Sequence, residues 1–319
     1  MPQIIAEFCQ NHLGDRNILK DMIWTAAGAG ADYAKIQSMK SDELTFRERF
    51  EEGIVENGVV KAIKRPYKPE YERLKNLDLS EEDHFFFIEE CKKAKIKPLT
   101  TVFTRAEIKF LSKLPFKEIK VPSYDCASFK MIEELKEKFE HLIISTGATY
   151  DWEIEKTAEI LKDKKFTFLH CITIYPTPLN ELNLNRMNYL KKFTPSVGFS
   201  DHTLTERDGI KGSIVALSMG AEYIERHFTI LPKDKTKDGP VSIDYNLLKE
   251  LVNFAKMDLE NLKEYVKKEI PQAKEMLGQE KRELTLKEIL NRDYYRGRFA
   301  SKVGERIIYN WEDIPLENL

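Results

Sequence analysis

Eight short β-branched runs, most of them followed by a stretch of helical period, constrain this chain more than any other feature. The runs are IIAE at 4–7, YAKIQ at 33–37, KPLTTVF at 97–103, EIKV at 118–121, LIIST at 142–146, FTFLHCIT at 166–173, SVGFSD at 196–201 and EYIERHF at 222–228. Stretches such as ILKDMIWTAAGAGA, EEDHFFFIEECKKAK, DWEIEKTAEILKD and DGIKGSIVALSMGA follow them, with apolar residues recurring at helical spacing. Strict alternation of this kind calls for a parallel sheet. Eight units over roughly 250 residues suit a closed (β/α)8 barrel, a TIM barrel, better than an open doubly wound sheet. No GxGxxG follows the first run, which argues against a dinucleotide-binding fold.

The expected layout is a barrel over residues 1–270 and a short C-terminal extension over 271–319. A charged, mostly irregular insertion at 40–79 follows the second strand, where a barrel enzyme shapes its active-site mouth, and Ser80 can cap a helix starting near Glu81. From about residue 244, YNLLKELVNFAKMDLENLKEYVKKEI reads as the eighth barrel helix lengthened by a turn or two. The tail that follows is too short for a core of its own.

Composition narrows the partners. Lys and Arg total 51 against 53 Asp and Glu, a net charge of −2, so no general basic surface awaits nucleic acid. No run of about 18 apolar residues could span a bilayer, and the start lacks a signal-peptide pattern, so a cytoplasmic protein without membrane contact is expected. Cys9, Cys91, Cys126 and Cys171 show no CxxC spacing and are expected as free thiols.

The strand ends are unusually polar, and barrel enzymes place their chemistry at that face. Lys35 and Lys120 lie inside apolar runs. They form either structural ion pairs with Glu7 and Glu225, or a phosphate pocket with Ser123, Ser145 and the backbone of the STGA turn. His202 and His227 close the last two strands, which are neighbours in a barrel. Beside Asp201, Glu225 and Glu7 they point to a divalent metal with open positions for substrate. His12 caps its loop or touches substrate, His84 and His141 read as surface or packing residues, and His170 as a satisfied barrel-interior side chain.

Taken in order, IAEFCQNHLGD, ADYAKIQ, IKVPSYD, IISTGAT, HCITIYPTP, VGFSDHT and IERHFT resemble the sialic acid synthase family, whose members condense phosphoenolpyruvate (PEP) with an amino sugar to make nonulosonic acids. The similarity runs from residue 4 to about 250. It implies a (β/α)8 barrel, a homodimer and a divalent metal, manganese first, with magnesium or cobalt as alternatives. By position, the resemblance gives PEP to Lys35, Thr101, Lys120, Ser123, Ser145, Thr173 and Ser200, and the metal to His202 and His227. It gives the acceptor aldose to Glu7, Gln37, Tyr175 and Glu225, with Asn11 a further sugar-binding candidate, and one of Glu7, Glu225 or Asp238 is expected to manage the protons.

Departures from the family pattern accompany the match. HCITIYPTP stands where HCTSNYPTP is usual, so Thr173 replaces an amide or hydroxyl near PEP. KDGPVS puts Asp238 in reversed order with the Gly-Pro, and PSYD in place of PSGE sets Tyr124 and Asp125 beside the phosphate site. The family's separate antifreeze-like domain sends an arginine into the partner subunit; here RGRFASKVGERIIYNWEDI reads as a contracted remnant, with Arg296 and Arg298 as candidates for that role. Competing expectations are a metal-dependent sugar isomerase or epimerase on the same barrel, or a sugar-binding relic without turnover.

Overall fold

The computed structural model describes residues 1–316. Its barrel strands are β1 (Gln3–Cys9), β2 (Tyr33–Ser38), β3 (Lys97–Val102), β4 (Glu118–Val121), β5 (His141–Ser145), β6 (Lys165–His170), β7 (Val197–Asp201) and β8 (Tyr223–His227). Each pairs in parallel with its neighbours in chain order, and β8 closes on β1. The expected barrel is therefore the fold.

Strand alternation builds two separate apolar layers. Outward residues such as Ile4, Ala6, Phe8, Ala34 and Ile36 join the main core under the surrounding helices. Inward residues Ile5, Tyr33, Leu99, Ile143, Leu169 and Tyr223 form a plug across the barrel interior. Gly198 belongs to that layer because a Cβ there would lie 2.3 Å from the Tyr223 carbonyl oxygen. Two residues further along the same inward faces, the plug gives way to Glu7, Lys35, Thr101, Ser145, Ser200 and Glu225. The polar site thus rests directly on an apolar floor.

Two local expectations need correction. The 40–79 insertion is not mostly irregular: it carries a hairpin (Ile54–Glu56 with Val59–Ala62) and a helix (Tyr67–Lys75). Pro66 and Pro69 flank the start of that helix, where a missing N–H costs nothing. Ser80 does cap the helix Glu81–Ala94, in a reciprocal pair with Asp83. The long helix after residue 244 is two, Tyr245–Lys256 and Leu259–Glu269, because Asp258 accepts from the Asn261 N–H at 3.0 Å and starts a new one. The C-terminal segment packs back on the barrel mouth. A helix (Leu286–Tyr295) and a hairpin (Ser301–Val303 with Arg306–Ile308) dock on the strand-end loops. Asn291 donates to the Thr173 carbonyl at 2.7 Å, Arg292 to that of Ala148 at 2.6 Å, and Asn310 to that of Phe103 at 2.8 Å.

Insertion and C-terminal segment meet at Glu43, whose carbonyl accepts from the Ala300 N–H at 3.0 Å while its carboxyl accepts from the Thr104 hydroxyl at 2.9 Å. Burial first, and neighbouring Glu107 second, push that carboxyl from 4.5 up to about 8. The folded state therefore holds a proton that the unfolded chain has released, and stability should fall as pH rises from about 4.5 to about 8. Glu43→Gln keeps the acceptor without the charge. Urea melts between pH 5 and 8 should show a flatter profile and a gain of about 1–3 kcal/mol at pH 8. An unchanged pH slope would show that Glu43 ionises freely in the folded protein.

Candidate active site

Strand register decides which side chains share the barrel mouth. Glu7 on β1 is opposite Lys35 on β2 and His227 on β8, Gln37 and Lys120 are both opposite Thr101, and Ser200 is opposite Glu225. Together with Ser123, Ser145, Tyr175, His202 and Asp238 they line one cavity of ≈ 360 Å³ at the C-terminal ends of the strands. Asn11 and Thr173 do not line it. The Asn11 amide, fully buried, donates to the Phe228 carbonyl at 2.8 Å and the Ser242 hydroxyl at 3.0 Å, so it fastens the loop after β8. Thr173 is buried against Gly147 of the STGA turn.

Alternation also turns Asp201 away. Since Ser200 and His202 face inward, Asp201 faces outward, where it pairs with Arg226 at 2.6 Å and accepts from the Ser213 hydroxyl at 2.6 Å. Asp125, expected beside the phosphate site, instead accepts from Ser128 and Asn310 at 2.8 and 2.9 Å. Tyr124 does line the cavity, stacked on Tyr295 with ring centroids 5.0 Å apart. The remaining histidines are structural: His12 Nδ1 accepts from the Gly14 N–H, His84 and His141 bond the Ser38 and Thr167 hydroxyls, and His170 bonds the Leu182 carbonyl.

The two lysines differ. Lys35 is ion-paired with Glu7 and with Glu225 (3.2 Å), and donates to the Thr101 hydroxyl at 2.9 Å. Lys120, only 2% exposed, makes no ion pair among the described residues. Its ammonium donates to the Val121 carbonyl at 2.9 Å and the Ser145 hydroxyl at 2.7 Å, both neutral. Burial consequently pulls its pKa down. The ion-pair reading holds for Lys35 and fails for Lys120, which presents to the cavity a buried ammonium with no carboxylate in direct contact among the described residues.

Residues 22–269 match the NeuB family. The chain belongs to the NeuB family. The N,N'-diacetyllegionaminic acid synthase of Campylobacter jejuni is 35% identical over 251 residues, covering 74% of this chain and 69% of that protein. A pseudaminic acid synthase of the same species is 29% identical over 303 residues, covering 94% and 81%. The crystal structure of the N-acetylneuraminic acid synthetase of Leptospira borgpetersenii superimposes with a TM-score of 0.69 at 27% identity, covering 92% of this chain and 91% of that one.

In this NeuB-family chain, His202 and His227 meet with ring centroids 5.3 Å apart, and the buried Nδ1 of each has no hydrogen-bond partner among the described residues. Tyr175 packs on His202 at 4.1 Å. Sequence reasoning missed Cys9. Its backbone is left-handed (φ +51°) at a register break in β1, which carries the thiol into the cavity to donate to Asp238 at 2.7 Å. Donor atoms of Cys9, His227 and Asp238 all lie within 4.8 Å of one another. Orphaned imidazole nitrogens beside a convergent N, O and S donor set fit a divalent ion. Register breaks of this kind leave no mark in a hydrophobic pattern, so the thiol had no legible signal. Arg65, Arg73, Lys237, Asn291, Tyr295 and Arg298 also line the cavity and come from the insertion, the loop after β8 and the C-terminal segment. Of the two candidate arginines, Arg298 is there and Arg296 is not.

Burial sets the two central carboxyls apart. It raises Glu7 beyond what Lys35 offsets. It would raise Glu225 too, but Lys35, Lys120 and the Ser200 hydroxyl hold Glu225 well below the usual carboxylate range.

Proposed function

We propose that this protein is a PEP-dependent nonulosonic acid synthase, a transferase that joins PEP to an N-acylated amino-aldose and releases phosphate. One observation carries the reading: Lys120 is a buried cation that makes no ion pair among the described residues, on the floor of a cavity that also holds a set of donors able to ligate a metal. PEP brings negative charge for that ammonium to pair with directly. Its phosphate and carboxylate would bond Lys120 and Lys35 and the hydroxyls of Thr101, Ser123, Ser145 and Ser200. Neither an isomerase nor an epimerase acting on an uncharged sugar has a use for that ammonium.

The site residues divide the work. His202 and His227, with Asp238 and Cys9 at hand, would hold a divalent ion, manganese in this proposal. When bound, such an ion polarises the acceptor's aldehyde oxygen. Gln37 and Tyr175 would orient the sugar so that its aldehyde carbon faces C3 of PEP. A bond forms between those two carbons, and the aldehyde oxygen takes a proton to become a hydroxyl. Water adds at C2, and loss of inorganic phosphate with cleavage of the C–O bond leaves the 2-keto-3-deoxy acid. Glu225 remains an anion steadied by Lys35 and Ser200, which leaves Glu7 and Asp238 to pass protons. A homodimer and a cytoplasmic setting complete the proposal.

The test incubates PEP, manganese and a panel of 2-acetamido and 2,4-diacetamido hexoses in ¹⁸O-water. Phosphate should be released only with an aldose present, unlabelled, alongside a condensation product by mass spectrometry. Labelled phosphate, or release without an aldose, would refute the reading.

A further inference from the structure

Cys9, His227 and Asp238 come from three parts of the chain and are tied together by a relay of bonds. The Phe228 N–H, next to His227, donates to the Glu7 carbonyl at 2.8 Å. Asn11, two residues past Cys9, donates to the Phe228 carbonyl at 2.8 Å and to the Ser242 hydroxyl at 3.0 Å, and that hydroxyl donates to the Asp238 carbonyl at 2.7 Å. Asn11 and Ser242 are both fully buried, so the three backbones are fixed relative to one another before any ligand arrives.

Within that frame the Cys9 thiol donates to the Asp238 carboxylate at 2.7 Å, and the donor atoms of all three residues lie within 4.8 Å of one another. His202 stands outside that group; its ring meets that of His227 at 5.3 Å, and its Nε2 lies 3.5 Å from the Ser200 hydroxyl. His227, only 6% exposed and with its buried Nδ1 unpartnered among the described residues, is therefore common to two donor sets. One is the imidazole pair. The other joins sulfur, nitrogen and oxygen.

Those sets differ in chemistry. Imidazoles with oxygen donors suit manganese, whereas a thiolate favours thiophilic ions, zinc above all. With zinc-to-ligand lengths of about 2.0–2.3 Å, the ligand atoms around one tetrahedral zinc lie about 3–4 Å apart, inside the span of these three donors, and a fourth position stays open. The left-handed backbone of Cys9 (φ +51°) suits glycine, so the thiol is carried there against a backbone preference.

We propose that Cys9, His227 and Asp238 form a second, thiolate-bearing mode of the metal site, which takes zinc or another thiophilic divalent ion in competition with the manganese of the imidazole pair. This rests on the metal reading above and names a regulation of that site. A zinc–sulfur bond forms, the thiol proton leaves to solvent, no electron is exchanged, and His227 is lost to manganese.

Cobalt(II), a coloured stand-in for zinc, tests it on the full chain stripped of metal by a chelator. One equivalent should produce a near-ultraviolet sulfur-to-cobalt charge-transfer band, which added zinc bleaches. That band should be absent in Cys9→Gly, a variant the left-handed backbone accommodates, and in Cys9→Ser. It should persist in His202→Ala, which breaks only the imidazole pair, and in Cys171→Ser, which removes the other thiol of the cavity, 3.0 Å from the Ser123 hydroxyl. Release of manganese by zinc is then followed from the paramagnetic resonance signal of the free ion. Cys9→Gly should need at least about tenfold more zinc than the parent, since even a residue that only orients a ligand is worth about tenfold to a hundredfold in metal affinity. No band in the parent would overturn the proposal, as would a band that survives Cys9→Gly, a band lost in His202→Ala or Cys171→Ser, or an unchanged zinc requirement. Absence of condensation in the PEP assay would instead strike the synthase reading and leave the cobalt result standing.

Discussion

His227→Ala should abolish turnover, with kcat reduced by about a thousandfold or more, while the melting temperature stays close to that of the parent. The side chain makes no hydrogen bond among the described residues, and its backbone carbonyl, which accepts from the Ile243 N–H at 2.8 Å, survives the substitution. Little of the fold therefore depends on the ring. Its neighbours show what does: Cys9 and Asp238 donor atoms within 4.8 Å, and the His202 ring 5.3 Å away. Polarisation of a carbonyl by a bound ion is worth several kcal/mol, and each 1.4 kcal/mol is about tenfold in rate, hence the size of the expected loss. Metal analysis of purified protein by plasma mass spectrometry supplies an independent readout: bound manganese should drop well below one per chain. Full metal content with kcat within a few-fold of the parent would remove His227 from the ligand set.

Lys120→Met should raise the KM for PEP about tenfold to a hundredfold, the equivalent of one charge-assisted bond to phosphate. The same change should leave the free protein as stable as before or more so. A buried ammonium with only neutral partners costs desolvation free energy that a thioether of similar length does not. Opposite signs on ligand affinity and on stability are the signature of a functional charge, and the two are measured by steady-state kinetics and by thermal melts without PEP. A lowered melting temperature with unchanged KM would make Lys120 structural and empty the proposed PEP cradle of its main cation.

How much was legible beforehand varies with sequence distance and with parity. The barrel was readable because eight apolar runs recur with the period of a strand between stretches with the period of a helix. Lys35, Lys120, His202 and His227 were readable as candidates because ionisable groups inside or at the ends of such runs have no bland explanation. Asp201 was misplaced beside the metal although strand alternation held the answer: with Ser200 and His202 facing in, residue 201 faces out. Asn11 was misplaced for a different reason, since nothing local distinguishes an amide that binds a sugar from one that ties down the Phe228 carbonyl. The helix break at Asp258 was available as a cap signal inside an otherwise continuous amphipathic pattern.

What the amino-acid order determined by itself is the closed sheet, its apolar floor and the ring of polar side chains two residues above it, because those follow from periodicity and burial along each strand. Tertiary structure alone decided that Lys35 is directly ion-paired and Lys120 is not, that a left-handed residue in β1 brings Cys9 to Asp238, and that Arg73, Lys237 and Arg298 gather on one carboxylate. Each of those depends on register across strands or on loops far apart in the chain. Such distances between side chains are set by packing geometry, which local composition does not encode.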